Sequence, residues 1–527
     1  MHFLTIFTLA SSLLTTQSSA AVLKTPRGGC GLNSLLGRDA NAQLPLPSQD
    51  PFFVPPANWK TYKPGVALKS RGSAYPSITI GNCMDTFQVM YRSTDSMGNA
   101  TWGTTTVFIP ASNKNCDKTH QSKCAHAIVS YELPYDSCDP DTGPSYELQF
   151  GEPYGDMYDM LTAGYFVSVP DFEGPLASYG AGVQAGHSVL DSLQAVLSVA
   201  STYGFRTTDA KSALWGYSGG ALATGFAAEL AEVYAPNLAL SAVVHGGLVP
   251  NVIDSGAQIS NTTGFAGLVI AGILGITSQH TEARAYINSR LKSAPPNNAA
   301  SFYTATTMSG SQLISAFPNT DVVDFFIGGA TDLGSPILLN MYEIDALLGY
   351  HGTPNMPVFI YEAVNDELSA IKNLDSLVAG YCKQGANILY HRNSVGGHND
   401  ELFAGRPRVL QYLSTIFDDT NAISIPSSGC QTKNVTITCS VTLKNTTAVE
   451  GSKTVPYRAV VVTQLKLDVM ADGTVMVEDD QGLPSGPLDM KSLRKTWSSS
   501  LNDFQFNVSG ARNPLDSFSL LIDDSSF

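Results

Sequence analysis

Positive charge is what this 527-residue chain has least of. Its 30 Lys and Arg stand against 45 Asp and Glu, a formal charge of −15, and the four charged types together make up only 14%. A surface of that sign repels phosphate backbones and anionic bilayers, so nucleic acid is set aside as a partner. Nor is there an uninterrupted apolar run of the roughly 20 residues that a helix needs to span a membrane. Phe3–Leu14 and Phe265–Ile276 stop at about twelve each, and no transmembrane segment is expected. Cysteine is sparse as well, eight in all, with no closely paired zinc spacing. No metal and no cofactor is expected.

What the N-terminus does carry is an address. Phe3–Leu14 is followed by polar residues and by Ser18-Ser19-Ala20, a small-residue cleavage site, so residues 1–20 read as a secretory signal peptide. Its basic opening is reduced to His2. The even cysteine count agrees with an oxidising compartment, as do five Asn-x-Ser/Thr sequons at Asn99, Asn261, Asn434, Asn445 and Asn507. The expectation is a secreted, extracellular, disulfide-bonded glycoprotein.

The chemistry centres on Lys211-Ser212-Ala213-Leu214-Trp215-Gly216-Tyr217-Ser218-Gly219-Gly220. A short apolar run predicts a strand, and the small residues after Ser218 predict a helix through Ala227, Leu230 and Val233. Between them Gly216-x-Ser218-x-Gly220 is a strand-to-helix turn that lifts a serine hydroxyl off the sheet. The two glycines of this nucleophile elbow, Gly216 and Gly220, admit the close backbone approach the turn needs. In a chain with 46 Gly the pentapeptide alone says little, since a glycine-rich turn would look the same. Its strand-before, helix-after setting is what points to a nucleophile.

Around that turn the chain alternates. Thr86–Arg92 and Thr104–Pro110 are antiparallel strands about a Ser96-Met97-Gly98-Asn99 turn. Strands follow at His126–Tyr131, Tyr165–Val169, Leu240–Val244, Val358–Val364 and Asn387–Tyr390. Helices are expected at Met157–Leu161, Val183–Val199, Leu374–Tyr381 and Glu401–Phe417. This is an α/β pattern with a mostly parallel sheet. The hundred-odd residues between Gly247 and Tyr350 break it and are too long for a loop. The expected organisation is a signal at 1–20, an N-terminal arm at 21–75, a core in two parts at 76–247 and 351–426, an inserted cap at 248–350, and a small β-rich module at 427–527.

A serine hydroxyl becomes a nucleophile only when an imidazole takes its proton, and that imidazole needs a carboxylate to fix its tautomer. In α/β-hydrolases the chain order is serine, acid, histidine, each after a strand. Order sets aside His120, His126, His187 and His245; His280 and His351 fall in or beside the cap, and His391 falls inside a strand. His398, on the loop before the last helix, is the base, and Asp366, after the preceding strand, is the acid. Glu367 is the nearest rival, and Asp400 is too close to His398 in sequence. One oxyanion donor is the amide of Gly219; the other should come from Glu132 to Ser137, among which position alone does not choose.

Over roughly residues 50 to 430 the chain resembles the fungal secretory lipase family, the lipase A type of yeasts. The resemblance rests on Asp50-Pro51-Phe52, Trp215–Ala221, His245-Gly246-Gly247, Gly264-Phe265-Ala266-Gly267, Ala363–Glu367 and Cys382–Ile388. It implies an α/β-hydrolase with a helical cap and a triad at Ser218, Asp366 and His398. Through Ser130–Asp136 and Pro144-Ser145-Tyr146 it implies Asp136 as the second oxyanion donor, and it implies pairing of Cys382 with Cys430. Proximity alone suggests Cys116 with Cys124. The family pattern has a cysteine nearer Thr142, bonded into the cap. Here Cys138 stands in that loop and Gly247–Tyr350 holds no cysteine, so Cys138 is expected to find another partner.

The function expected is a secreted serine carboxylic-ester hydrolase, a lipase or esterase, with an ester or lipid substrate and reversible contact with a lipid interface. An acyltransferase or a deacetylase of a specialised metabolite would use the same triad. A non-catalytic binding glycoprotein would need no triad at all. Phe265, Leu268, Val269, Ile270 and Ile273, on the apolar helix of the cap, are expected to line an acyl tunnel; the alternative is that they are the cap's own core.

Overall fold

The computed structural model describes residues 44–72, 80–116, 120–150, 155–260, 265–317 and 320–437, with the backbone pairing of short strands between 441 and 520. The signal segment at 1–20 and Asn261 lie outside the described residues. Ten strands make one sheet: β1 (Ala67–Gly72), β2 (Cys83–Thr94), β3 (Ala100–Pro110), β4 (Ala127–Glu132), β5 (Phe166–Pro170), β6 (Lys211–Tyr217), β7 (Ala242–Gly246), β8 (Val358–Ala363), β9 (Ile388–Asn393) and β10 (Cys430–Val435). Their order is β1-β2-β3-β5-β4-β6-β7-β8-β9-β10. The first three and the β3–β5 junction are antiparallel. From β5 to β10 every pairing is parallel.

Parallel strands are joined by helices, and the longer ones here are α1 (Gly155–Thr162), α2 (Gly182–Val199), α3 (Gly219–Tyr234), α4 (Val252–Ile259), α5 (Ala266–Gln279), α6 (Thr281–Arg290), α7 (Pro336–Asp345), α8 (Ile371–Lys383) and α9 (His398–Asp418). The two-residue period of a strand decides which helix each side chain meets. Val129, Tyr131, Trp215 and Tyr361 pack with Met157 and Met160 of α1 and Val409 and Leu413 of α9. Ile128, Phe166 and Leu214, on the opposite face, pack with Val189, Leu193, Ala223 and Ala227 of α2 and α3. Both faces are therefore covered, which is why the central strands read as near-continuous apolar runs.

Between β7 and β8 the chain leaves the sheet and builds α4 to α7 around a core of its own, with Ile270, Leu274, Ile287, Phe302, Phe325 and Leu338 fully or almost fully buried. Polar contacts moor this insertion to the sheet domain. Asp345, at the end of α7, accepts from Ser96 Oγ (2.8 Å) and the Val183 amide (3.0 Å), and pairs with His280 Nε2 at 2.6 Å. Ser137 Oγ donates to the Met308 carbonyl at 2.8 Å.

Four sequence expectations change. The arm is not only irregular: β1 pairs with β2 as the edge of the sheet. The core does not end at 426, because β10 adds a parallel strand beside β9, pinned by the Cys382–Cys430 disulfide (Cα–Cα 5.8 Å). His398 is not on a loop; it is the first residue of α9. Among the described residues Cys138 has no disulfide partner: it is a buried free thiol whose Sγ donates to the Ala271 carbonyl of the cap at 3.1 Å. A thiol hydrogen bond thus stands where the family pattern implies a covalent tie. Cys116 and Cys124 are bonded, as their proximity suggested.

Beyond β10, Val441–Glu450 pairs with Lys453–Val462, Lys466–Val469 with Val475–Glu478, and Phe504–Asn507 with Ser517–Leu520, all antiparallel. Asn445 and Asn507 lie on these strands. Asn99, in the β2–β3 turn, and Asn434, on β10, are exposed. No helix among the described residues is long and apolar enough to cross a membrane.

The mooring of the cap yields a stability test. Asp345→Ala would strip the buried Val183 amide and Ser96 hydroxyl of their acceptor and His280 of its partner. The expected loss is about 3 kcal/mol, read from the midpoint of urea unfolding followed by intrinsic fluorescence.

Candidate active site

The nucleophile corner is built by contact distances that no side chain could tolerate. A Cβ on Gly220 would lie 1.7 Å from the carbonyl oxygen of Glu132, and one on Gly216 2.2 Å from the carbonyl oxygen of Gly220. With both absent, the first turn of α3 sits directly on β4 and β6. Ser218, between them, is held at φ 54°, ψ −120°, a region that non-glycine residues rarely enter. Its amide donates to the Gly246 carbonyl at 2.9 Å, which ties the strained residue to the end of β7.

The expected base and acid converge on this serine. His398 Nε2 lies 2.8 Å from Ser218 Oγ, and Nδ1 lies 2.6 Å from Asp366 Oδ2. Asp366 Oδ1 accepts from the amides of Leu368 and Ser369, each at 2.8 Å. Those two bonds turn the carboxylate so that its other oxygen meets the imidazole. The rival acids are engaged elsewhere. Glu367 Oε2 accepts the backbone amide of His398 at 2.9 Å, and Asp400 Oδ2 that of Gly397 at 3.0 Å. Both satisfy orphan donors at the start of α9 and so fix the histidine's backbone, not its ring.

Electrostatics follow from burial and pairing. Burial alone would depress the imidazole of His398, but the charge of Asp366 and the hydrogen bond to it, with Glu367 and Asp136 behind, hold it above its ordinary value. Burial would likewise raise Asp366, and the charge and hydrogen bond of His398 hold it below the usual carboxylate range instead. The other buried histidines go the opposite way: burial pushes His245 down to about 3 and His187 down to about 4.

Asp136 follows β4 at φ 45°, and its side chain is wedged beside Gly219, where an added Cβ would meet Asp136 Oδ1 at 2.1 Å. Burial pushes its carboxyl up to about 6 against the pull of His398. The cap presses on the same loop, since a Cβ on Gly310 would lie 2.5 Å from the Tyr135 carbonyl. Gly219, at the start of α3, and the Asp136 side chain, from the loop after β4, thus pack against each other next to Ser218. Chemically, a hydroxyl bonded to an imidazole that is itself paired with a carboxylate can add to a polarised carbonyl.

Sequence reading missed two neighbours. The Tyr217 hydroxyl donates to the His398 carbonyl, and Glu362 lies buried at the end of β8, its Oε2 accepting the Leu248 amide at 2.8 Å. A signal existed for Glu362: an acid inside the apolar run Val358-Phe359-Ile360-Tyr361-Glu362-Ala363 is costly to bury unless it has a partner. Tyr217 carried none, since an aromatic next to the serine reads as core.

Phe265, Leu268, Ile270 and Ile273 are buried and Val269 is half-buried against the cap core, beside Phe302, Phe317 and Phe325. Two clefts of about 240 and 270 Å³ flank the 171–178 loop and share Trp102 and Pro175; neither is lined by Ser218 or by any of the five.

The model of the family described as Secretory lipase matches residues 155–424. A trichothecene C-3 esterase of Fusarium sporotrichioides is 37% identical over 416 residues, covering 75% of this chain and 90% of that protein. Lipase A of Arthroderma benhamiae is 31% identical over 418 residues, covering 76% and 84%. Among solved structures, Candida antarctica lipase A in its closed state aligns with a TM-score of 0.62 at 27% identity, covering 74% of this chain and 91% of that one.

The raised imidazole has a consequence for rate. Only neutral His398 can accept the Ser218 proton, so activity is lost as pH falls through its value in the folded protein. The kcat/KM profile for a soluble ester should rise with a midpoint above about 6.5, the ordinary histidine value. A midpoint below it, in a titration from pH 5 to 9, would contradict the pairing with Asp366.

Proposed function

Given that the chain belongs to the secretory lipase family and is a carboxylic-ester hydrolase, we propose that it works through an acyl-enzyme on Ser218. Ser218 Oγ adds to the ester carbonyl carbon while its proton passes to His398 Nε2. Asp366 holds the ring in the tautomer that can accept it. The amides of Gly219 and Asp136 hold the oxyanion, each donor contributing on the order of 3 kcal/mol to the transition state. Collapse expels the alcohol, which takes the proton from His398. Water, deprotonated by the same imidazole, then adds to the acyl-enzyme and releases the acid. The observation that carries this reading is the His398 ring bonded to both Ser218 and Asp366.

Export follows from the signal-like residues 1–20 and from disulfides at Cys116–Cys124 and Cys382–Cys430, which persist in oxidising compartments. The exposure of Ile327 and Leu339 on the inserted region supports reversible contact with a lipid interface. Two kinds of substrate stand behind the relatives' names, lipids and trichothecene esters, and a chain-length series of p-nitrophenyl esters run beside a triglyceride emulsion separates them. Ser218→Ala should lower turnover on every ester cleaved by about 10⁴-fold or more, with melting temperature unchanged. Near wild-type turnover would remove the mechanism.

We further propose that an acyl path runs past α5 at Gly272 and not through its apolar stripe. A Cβ on Gly267 would lie 2.1 Å from the Leu313 carbonyl oxygen and one on Gly275 2.2 Å from that of Tyr179, whereas a Cβ on buried Gly272 would meet nothing within 4 Å. Gly272→Leu should fill that space, cutting long-chain ester hydrolysis about tenfold while acetyl-ester hydrolysis changes less than about threefold. Equal losses on both, with an unchanged melt, would reject the path.

A further inference from the structure

Glu362 is the last residue but one of β8, four residues before Asp366, and only 1% of it is exposed. One oxygen, Oε2, accepts the Leu248 amide at 2.8 Å; the other, Oε1, has no N–H or O–H donor among the described residues. Its side chain is nonetheless in hydrogen-bond contact with the carboxyl of Asp366. Two carboxyl groups in such contact away from water cannot both be ionised, so one proton must lie between them. The surroundings decide which group owns it. Asp366 faces the imidazole of His398 at 2.6 Å and accepts two amides, all of which favour the charged form. Glu362 accepts one amide, and among the described residues the titratable groups around it are Asp366, Glu401 of α9, Tyr217 of β6 and Tyr390 of β9. The positive charge nearest to Glu401, Arg408, is bonded to Glu401 itself.

We propose that Glu362 is a positioning residue that keeps its proton at working pH and donates it in a hydrogen bond to Asp366, adding a fourth member behind Ser218, His398 and Asp366. This rests on Asp366 being the acid of the triad. The bond holds the Asp366 carboxylate in addition to the Leu368 and Ser369 amides. It also keeps Asp366 ionised, in agreement with the buried Glu362 carboxyl being held well above the usual carboxylate range by desolvation first and by the charge of Asp366 second.

The test compares two variants by their kcat/KM profiles between pH 5 and 9, with melting curves alongside. Glu362→Leu removes the donor and leaves the Leu248 amide unpaired. It should lose about tenfold or more in kcat/KM, and its acid limb should move up by about half a pH unit as Asp366 grows more basic. Glu362→Gln keeps a neutral donor toward Asp366 and an acceptor for Leu248. It should restore kcat/KM to within about threefold of wild type, with the acid limb unmoved. A glutamine variant whose acid limb falls by about half a unit would overturn the inference, because that shift reports removal of a negative charge near His398. So would a leucine variant with wild-type rate and profile. Since leucine could unfold the protein, the glutamine profile decides by itself. Asp366→Asn, assayed in parallel, separates the two layers: full turnover there would remove the triad reading, and with it this inference. A large loss there, beside a shifted glutamine profile, would overturn this inference alone.

Discussion

The carbonyl of Glu132 and the α-carbon of Gly220 are so close that a single added carbon would lie 1.7 Å from the oxygen. Everything at the site depends on that approach. It seats α3 against the end of β4 and forces the preceding residue, Ser218, into a left-handed corner. The corner then presents the hydroxyl to α9 and the Gly219 amide to the space beside Asp136. Because the strain is local, it must be over-determined by rigid neighbours. The central parallel strands, both faces covered, and the Ser218–Gly246 backbone bond supply that rigidity.

Buried acid is the second theme. Asp366, Glu362, Glu401 and Asp345 are each at most 6% exposed, yet they do different work because their partners differ. Asp366 has an imidazole and two amides and is held ionised. Glu401 has Arg408 and Asn393, which join α9 to β9. Asp345 has His280, an amide and a hydroxyl from separate elements, and moors the cap. Glu362 has one amide and another carboxyl. The same carboxylate chemistry thus serves as imidazole partner, bracket and mooring, and the role follows from the donors that the fold delivers.

The cap shows how a covalent constraint can be exchanged for several weak ones. Where the family pattern implies a cystine, this chain has the Cys138 thiol on the Ala271 carbonyl, Ser137 on Met308, and Gly310 packed on the Tyr135 carbonyl. All three reach the loop that carries Asp136, so the position of the cap and that of Asp136 are mechanically joined.

Much of this was legible in the residues. The apolar runs with a two-residue period, the helical spacing between them and the Gly216-x-Ser218-x-Gly220 turn are local patterns. They specified the parallel sheet, the nucleophile corner and the order in which Asp366 and His398 follow. Their physical cause is local too, since a strand buried on both faces must be apolar whatever its partners are. What only the tertiary structure decided involves residues whose partners are distant. Cys430-Gln431-Thr432-Lys433-Asn434-Val435 has no apolar alternation, and it is a strand because β9 and the Cys382 disulfide hold it there. Ala67–Gly72 is an edge strand for the same reason. Glu367 lost the imidazole to Asp366 because its carboxylate reaches the His398 amide instead, a matter of angstroms that spacing does not encode. Hydrophobic period is written in the chain one residue at a time; the choice of partner for a buried polar group is made only when elements far apart in sequence bring their donors together.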